Sequence, residues 1–245
     1  MLKKLKILEE NMTEHSNKII EVKTCRRNGK PLRAALVSFA VLTVLCGIIY
    51  PLAVTGAAKI FFPKKAEGSI ITVQTPEGKE IYGSILIGQN YTKPIYLIGR
   101  INSKSPTNLS PKSPEFLQQI QQRKEFFTKN GFMFEGNIPS KLVTESASGS
   151  DPHISKKAAL YQIKSIVQAR KKAGWKLAVN ERGETQVVPP QKTAEIASQN
   201  LNDYSEDFVR QIIDRHTEKK FMGLFGKERV NVLLVNLDLD GIQED

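Results

Sequence analysis

Twenty-five consecutive residues, Ala34 to Ala58 (AALVSFAVLTVLCGIIYPLAVTGAA), carry no charge. As a helix that run would be ~37 Å long against ~30 Å of bilayer hydrocarbon, enough to span with some tilt. A cleaved signal peptide and a buried core helix are the competing readings. The run is longer than a signal h-region and starts only at residue 34, although Thr55-Gly56-Ala57-Ala58 has the small residues of a cleavage site. A core helix of this length would keep a polar face, and this one has none. An uncleaved span over residues 32–62 is therefore expected. Gly47 and Pro51 predict a kink or local break inside it. Gly47, Tyr50, Pro51 and Gly56 are its candidate packing positions, because small residues and a kink let another helix approach.

The charges flanking the run set its expected orientation. Net charge is +11 over 245 residues. Residues 1–33 hold nine Lys/Arg and four Glu, whereas residues 59–245 hold 27 basic and 21 acidic residues. The basic density precedes the apolar run, which places the N-terminus inside and residues 63–245 outside the cytoplasm. Residues 1–31 read either as a membrane-surface helix on an anionic leaflet (Leu2, Leu5, Leu8 and Met12 near helical spacing) or as a charged cytoplasmic tail. Nucleic acid, which a basic surplus would otherwise suggest, requires the folded part on the other side of the membrane. The two cysteines, Cys25 and Cys46, exclude a disulfide framework and a four-cysteine zinc site.

Beyond the span, Ser69–Gln74 and Lys79–Ile87 read as strands joined by a turn at Pro76-Glu77-Gly78, and Thr92–Gly99 as a further strand. Helices are expected from Ser113 or Pro114 towards Lys129, with Phe116, Leu117, Ile120 and Phe127 on the apolar side; after Ser155, with Ala159, Ile163, Ile166 and Val167 inside; and from Ser205, with Phe208, Val209, Ile212 and Ile213 inside. Arg229–Asp240 (RVNVLLVNLDLD) reads as a central strand emerging to a half-exposed end. Residues 174–204 have no clear period and contain Pro189-Pro190, and they read as an inserted loop. Interleaved strands and helices imply a mixed α/β domain tethered by a single N-terminal transmembrane helix.

The sequence offers little chemistry. Gly131 and Gly136 have roughly the spacing of a phosphate-binding loop, but Asn137 stands where its lysine would be. The serines of Ser146–Ser150 lack the flanking glycines of a nucleophile elbow. Two polar segments stand out. Asp151-Pro152-His153-Ile154-Ser155 precedes a helix, either as a simple turn and cap or as a rigid contact surface. Ile87-Gly88-Gln89-Asn90-Tyr91-Thr92 with Gly99-Arg100 reads as a backbone-tight polar corner.

These segments resemble the C-subunit (KdpC) family of the Kdp-type potassium-transporting ATPases. The resemblance rests on Gly47–Gly56 in the span, Ile87–Thr92 with Gly99-Arg100, Leu142-Val143-Thr144 leading to Asp151–Ser155 with Ala158-Ala159, and His216-Thr217, Gly223–Gly226 and Arg229–Leu237 near the end. There are departures: Ile101-Asn102 where the family usually has Pro-Ser, a reduced loop at Thr107–Pro111, and Ala147 and Ser150 ahead of Asp151. The resemblance implies a non-catalytic, single-pass subunit of the cytoplasmic membrane that assists a channel-like potassium-binding subunit and a P-type ATP-hydrolysing subunit. It also implies a raised ATP affinity of the pumping subunit. No cofactor is expected in this chain, since ATP, Mg2+ and K+ are handled by the partners. Gln89, Asn90, Arg100, Asp151, Pro152, His153, Ser155, Arg229 and Asn231 are the candidate contact residues it marks. The alternative is a membrane-anchored extracytoplasmic binding or enzyme domain working alone.

Overall fold

A computed structural model describes residues 31–75, 78–103, 107–180, 182–193, 196, 201–220 and 225–242. The expected surface helix or tail of residues 1–30, and Pro76-Glu77 of the expected turn, lie outside these. The chain forms two compact units, Met1–Ala57 and Ala58–Asp245.

The described part of the first unit, residues 31–57, is helical. Helix α1 (Pro31–Val44) runs through a π-helical turn at Leu45–Ile49 into α2 (Tyr50–Phe61). Together they make the one helix long and apolar enough to cross a membrane among the described residues, and none of its apolar window is buried within the chain. The expected break is present and has a simple cause. Pro51 has no N–H to give to the preceding turn, and the helix widens there, with the Tyr50 N–H reaching the Leu45 carbonyl. Gly47 and Gly56 have open space where a Cβ would be.

The second unit is mixed α/β. A short helix α3 (Pro63–Ala66) leads into the hairpin β1 (Ile70–Thr75) and β2 (Gly78–Ser84), whose register skips Tyr82 as a bulge. Helix α4 (Pro114–Lys129) starts on Ser113, whose hydroxyl accepts the Phe116 N–H, and ends at Asn130 with Gly131 at φ +75°. Of its expected apolar side only Phe127 is buried, and Leu117 is exposed. Then follow α5 (Ser140–Val143), β3 (His153–Ser155), α6 (Lys156–Tyr161) and α7 (Ile163–Lys172), the last two separated at Gln162. The expected inner face, Ala159, Ile163, Ile166 and Val167, is buried.

Residues 174–204, read from sequence as an inserted loop, instead carry three strands: β4 (Lys176–Val179), β5 (Thr185–Val188) and β6 (Leu201–Asp203), in the antiparallel order β5-β4-β6. Strands of three and four residues are too short to announce themselves by alternation. Ser205 caps α8 (Glu206–Arg215), which buries Val209, Ile212 and Ile213. Strand β7 (Thr217–Glu218) precedes β8 (Arg229–Asn231), and the sheet order is β3-β8-β7.

The largest correction concerns the C-terminal element. Only Arg229–Asn231 of the expected strand is extended, and Val232–Leu239 is helix α9. The Asn231 side chain accepts the N–H groups of Leu233 and Leu234, which starts the helix. The helix has no continuous polar face, Asn236 and Asp238 apart, because it is buried on opposite sides. Val232, Val235 and Leu239 enter the main core, while Leu233 and Leu237 pack with Ile71 of the hairpin. The expected strand at Thr92–Gly99 is also absent: residues 93–96 form a turn, with the Tyr96 N–H on the Lys93 carbonyl, and Leu97 and Ile98 bond to side chains, as described below.

Asp238 of α9 holds α8 in place. Its carboxylate accepts from Arg215 Nη1 at 2.7 Å and faces His216 Nε2 at 2.9 Å. Burial alone would raise its pKa, but the His216 and Arg215 contacts hold it below the ordinary carboxylate value. A depressed pKa gives stability that is present above the unfolded-state pKa and lost as pH falls through the folded one. Asp238→Asn is therefore expected to cost about 1 kcal/mol near neutrality, with the difference from wild type shrinking as pH falls below the ordinary carboxylate value and gone only below the depressed folded-state value. Urea unfolding midpoints across that range test this, and a loss independent of pH would contradict it.

Candidate functional site

The sheet β3-β8-β7 carries His153, Ser155, Arg229 and Asn231 of the residues marked in the sequence, with Asp151 and Pro152 directly ahead of β3. Its register sets His153 opposite Asn231, Ser155 opposite Arg229, and Glu218 opposite Arg229. Three of these residues are used in building the sheet and its exits. Ser155 Oγ accepts the Ala158 N–H at 3.3 Å and caps α6. The Pro152 carbonyl accepts the Val232 N–H at 3.0 Å. Asn231 caps α9 and donates its amide to the Ile85 carbonyl at 2.8 Å, which fastens the end of the hairpin.

Arg100, Asp151, His153 and Arg229, joined by Glu218, form a row in which carboxylates alternate with basic side chains. Arg100 donates to the Glu145 carbonyl, and its Nη1 lies 3.9 Å from Asp151 Oδ2. Asp151 Oδ1 accepts the His153 N–H at 3.0 Å and lies 3.6 Å from His153 Nδ1. On the far side of the imidazole, Nε2 lies 3.4 Å from Glu218 Oε1, without hydrogen-bond alignment. Glu218 Oε2 accepts from Arg229 Nε at 2.6 Å. Burial pushes the Glu218 carboxyl up, but Arg229 and His153 together hold it below its ordinary value. Arg100 Nε, Asn102 Oδ1 and His153 Nε2 are buried polar atoms with no hydrogen-bond partner in the chain.

The corner at residues 88–102 abuts this row. The Gly88 N–H donates to the Ser150 carbonyl at 2.8 Å, and a Cβ at Gly88 would lie 2.6 Å from the Asp151 carbonyl oxygen. Only glycine allows that approach. Asn90 exchanges two hydrogen bonds with the Asn102 backbone, at 3.1 and 3.3 Å. Gln89 donates to the Tyr82 carbonyl at 2.9 Å and accepts from the Tyr91 hydroxyl at 3.3 Å. Gln89 and Asn90 thus shape the corner, and Arg100, Asp151, His153 and Arg229 make the row.

Sequence reasoning missed Glu218, which closes the row from a different strand. It also missed Gln162, Asn236 and Arg170, which hold the segment running into Arg100. Their signal was present: each is a polar residue on an apolar helix stripe, and all three are buried. The row suits charge-complementary contact with another surface. The hydroxyl of Ser155, on the same strand as His153, is occupied as a helix cap. Among the described residues, no group of three or more His, Cys, Asp or Glu could hold a metal ion.

The family described as KdpC: K+-transporting ATPase, c chain, matches residues 32–182 and 191–241. The chain belongs to the KdpC family. The potassium-transporting ATPase KdpC subunit of Clostridium perfringens is 40% identical over 230 residues, covering 87% of this chain and 98% of the relative. Those of Listeria welshimeri and Janthinobacterium sp. are 38% identical over 213 residues and 36% over 218, covering 86% and 85% of this chain and 95% and 96% of the relatives. The KdpC match includes the apolar helix, the corner and the whole charged row. Its interruption, residues 183–190, falls on the β4–β5 hairpin, where this chain departs from the KdpC pattern.

Proposed function

We propose that this chain is a non-catalytic, single-pass subunit of an ATP-driven potassium import complex in the cytoplasmic membrane. Residues 32–62 span the bilayer, and residues 63–245 fold on the outer side. There they assist assembly of a channel-like potassium-binding subunit with a P-type pumping subunit and cap the outer ion entrance. The observation that carries this reading is the KdpC match, which runs from an apolar helix with no burying partner among the described residues through the charged row. ATP, Mg2+ and K+ are assigned to the partners. A rise in the ATP affinity of the pumping subunit fits this topology only as a coupling free energy passed through the membrane helix, because ATP is on the inner side.

Removing residues 63–245 while keeping the span is expected to abolish high-affinity potassium uptake and the associated ATPase activity. Undiminished uptake would overturn the reading. The reading of a domain working alone is separated by purification through a tag on this chain from potassium-starved membranes. Two larger membrane proteins in fixed stoichiometry are expected, and their absence would favour the solitary domain.

A further inference from the structure

We infer that the turn and hairpin directly following the apolar helix form a binding cleft for the headgroup phosphate of an anionic phospholipid. The inference rests on the reading of residues 32–62 as the span. Ile60, Phe61 and Phe62 close that helix with 76%, 72% and 60% of their surface exposed, and Lys64 and Lys65 follow at once. Aromatic rings followed by lysines are what the boundary between hydrocarbon and headgroups favours. Lys65 Nζ also lies 5.9 Å over the Phe62 ring.

The chain then turns back on itself. The Gly68 N–H donates to the Lys65 carbonyl at 3.1 Å and the Ser69 N–H to the Lys64 carbonyl at 2.8 Å, with Gly68 at φ +85° and Ser69 at φ +50°. The hairpin pins this turn: Ser84 Oγ donates to the Gly68 carbonyl at 2.7 Å, and the Ile85 N–H to the Ser69 carbonyl at 3.3 Å. A left-handed serine held by bonds on both sides is a fixed turn. Between turn and hairpin lies a cleft of about 700 Å3, lined by Lys64, Lys65 and Lys79 with one carboxylate, Glu67, and by Ile70 and Ile81.

Among the described residues that line the cleft, three lysines stand against one carboxylate, which favours an anionic guest. Ile70 and Ile81 are exposed at 49% and 68%, an apolar floor suited to the glycerol and first acyl carbons rather than to a free anion. Both halves of the guest are met where the chain leaves the apolar helix, so the occupant is a membrane lipid.

The test uses the full chain in neutral detergent, titrated with phosphatidylglycerol or phosphatidylcholine and read as retained lipid by native mass spectrometry. Preferential retention of phosphatidylglycerol is expected, weakened about tenfold by Lys64→Gln/Lys65→Gln/Lys79→Gln. A control that removes the same charge elsewhere, Lys112→Gln/Lys124→Gln/Lys171→Gln, should retain the lipid as wild type does. Equal retention of the two lipids, an unaffected cleft variant or an equally weakened control would each overturn the site. Competition by soluble glycerol phosphate would show a site for a free anion and overturn it too. Cross-linking of Ile81 in native membranes only to another protein would identify a protein contact instead. The titration in detergent does not depend on which side of the membrane the domain occupies or on uptake, so its failure leaves the assembly reading intact, and the converse holds.

Discussion

Replacing Arg170 with methionine is expected to destabilise the domain by about 3–5 kcal/mol, the range for removing one member of a buried charged network. The Arg170 side chain is fully buried. Its Nε donates to the Ile95 carbonyl at 2.8 Å, Nη1 to the Leu239 carbonyl at 2.5 Å and to Tyr204 Oη at 3.3 Å, and Nη2 to Asp240 at 2.8 Å. The guanidinium plane lies 4.3 Å from the Trp175 ring centre and 5.3 Å from that of Tyr204. Burial pushes the hydroxyls of Tyr96 and Tyr204 up to about 12, so both stay neutral across the working range. Methionine fills the stem volume but takes the donor from the Ile95 carbonyl and the Asp240 carboxylate, while the Leu239 carbonyl keeps only the Tyr204 hydroxyl, at 2.6 Å. Arg170→Lys retains charge and loses the fork and the stacking, so an intermediate loss is expected. Adding Asp240→Asn to Arg170→Met should restore only part, because the Ile95 carbonyl remains unpaired and the Leu239 carbonyl keeps one donor of two. Thermal or urea unfolding of the full chain in detergent measures each variant. A loss below about 1 kcal/mol for Arg170→Met would show that water enters and replaces the network.

The contrast between Arg170 and the membrane helix explains what the sequence could reveal. The span is legible because its signal is a run of one kind of residue, and Pro51 with Gly47 marks the π-helical turn. The caps at Ser113, Ser155 and Ser205 are legible because each hydroxyl acts on an N–H three residues ahead. Helix α9 was not, because a helix buried on all sides has no polar face, and its Asn and Asp residues mimic strand alternation. Asn231 was the available signal, a capping residue directly before the apolar run. In the site, Asp151 and His153 were legible because their spacing is local. Glu218 was not, since the antiparallel register of β7 on β8 brings it to His153 across the sheet.

The same distinction explains how a chain with few catalytic residue types builds a defined polar surface. The row Arg100–Asp151–His153–Glu218–Arg229 draws on two loops or strand ends and two further strands, so its spacing is only as fixed as the core beneath it. Asp151 and His153 are held by their own local bonds; Arg100 is held on one side by the bridge of Ile101 with Glu145, and on the other by the segment through Leu97 and Ile98, which lies in no sheet. The lock on that segment decides whether the row exists.

Gln162 and Asn236 are that lock, and replacing either with an apolar residue is expected to cost about 2–4 kcal/mol. Gln162 Oε1 accepts the Ile98 N–H at 2.9 Å, and its Nε2 donates to the Ile98 carbonyl at 3.0 Å. Asn236 Oδ1 accepts the Leu97 N–H at 2.7 Å, and its Nδ2 donates to the Leu97 carbonyl at 2.9 Å. Successive residues of an extended chain present their backbone groups to opposite sides, so one amide from α9 and one from the α6–α7 junction stand in for two neighbouring strands. This is why Leu97 and Ile98, beyond the turn at residues 93–96, pair their backbone groups as a strand would without joining a sheet. Gln162→Met leaves a buried N–H and carbonyl unpaired on Ile98, and the segment gains stability only by moving towards water. Arg100, two residues on, then loses its distance to Asp151. Once the segment has moved, Asn236→Leu has less to break, so the double variant should lose less than the two single losses combined, by about 0.5–3 kcal/mol. At a temperature where Gln162→Met is still folded, its yield of partner subunits in a pull-down should already fall. Strictly additive stability losses, or undiminished co-purification by the folded variant, would mean that Arg100 is held in place by something other than these two amides.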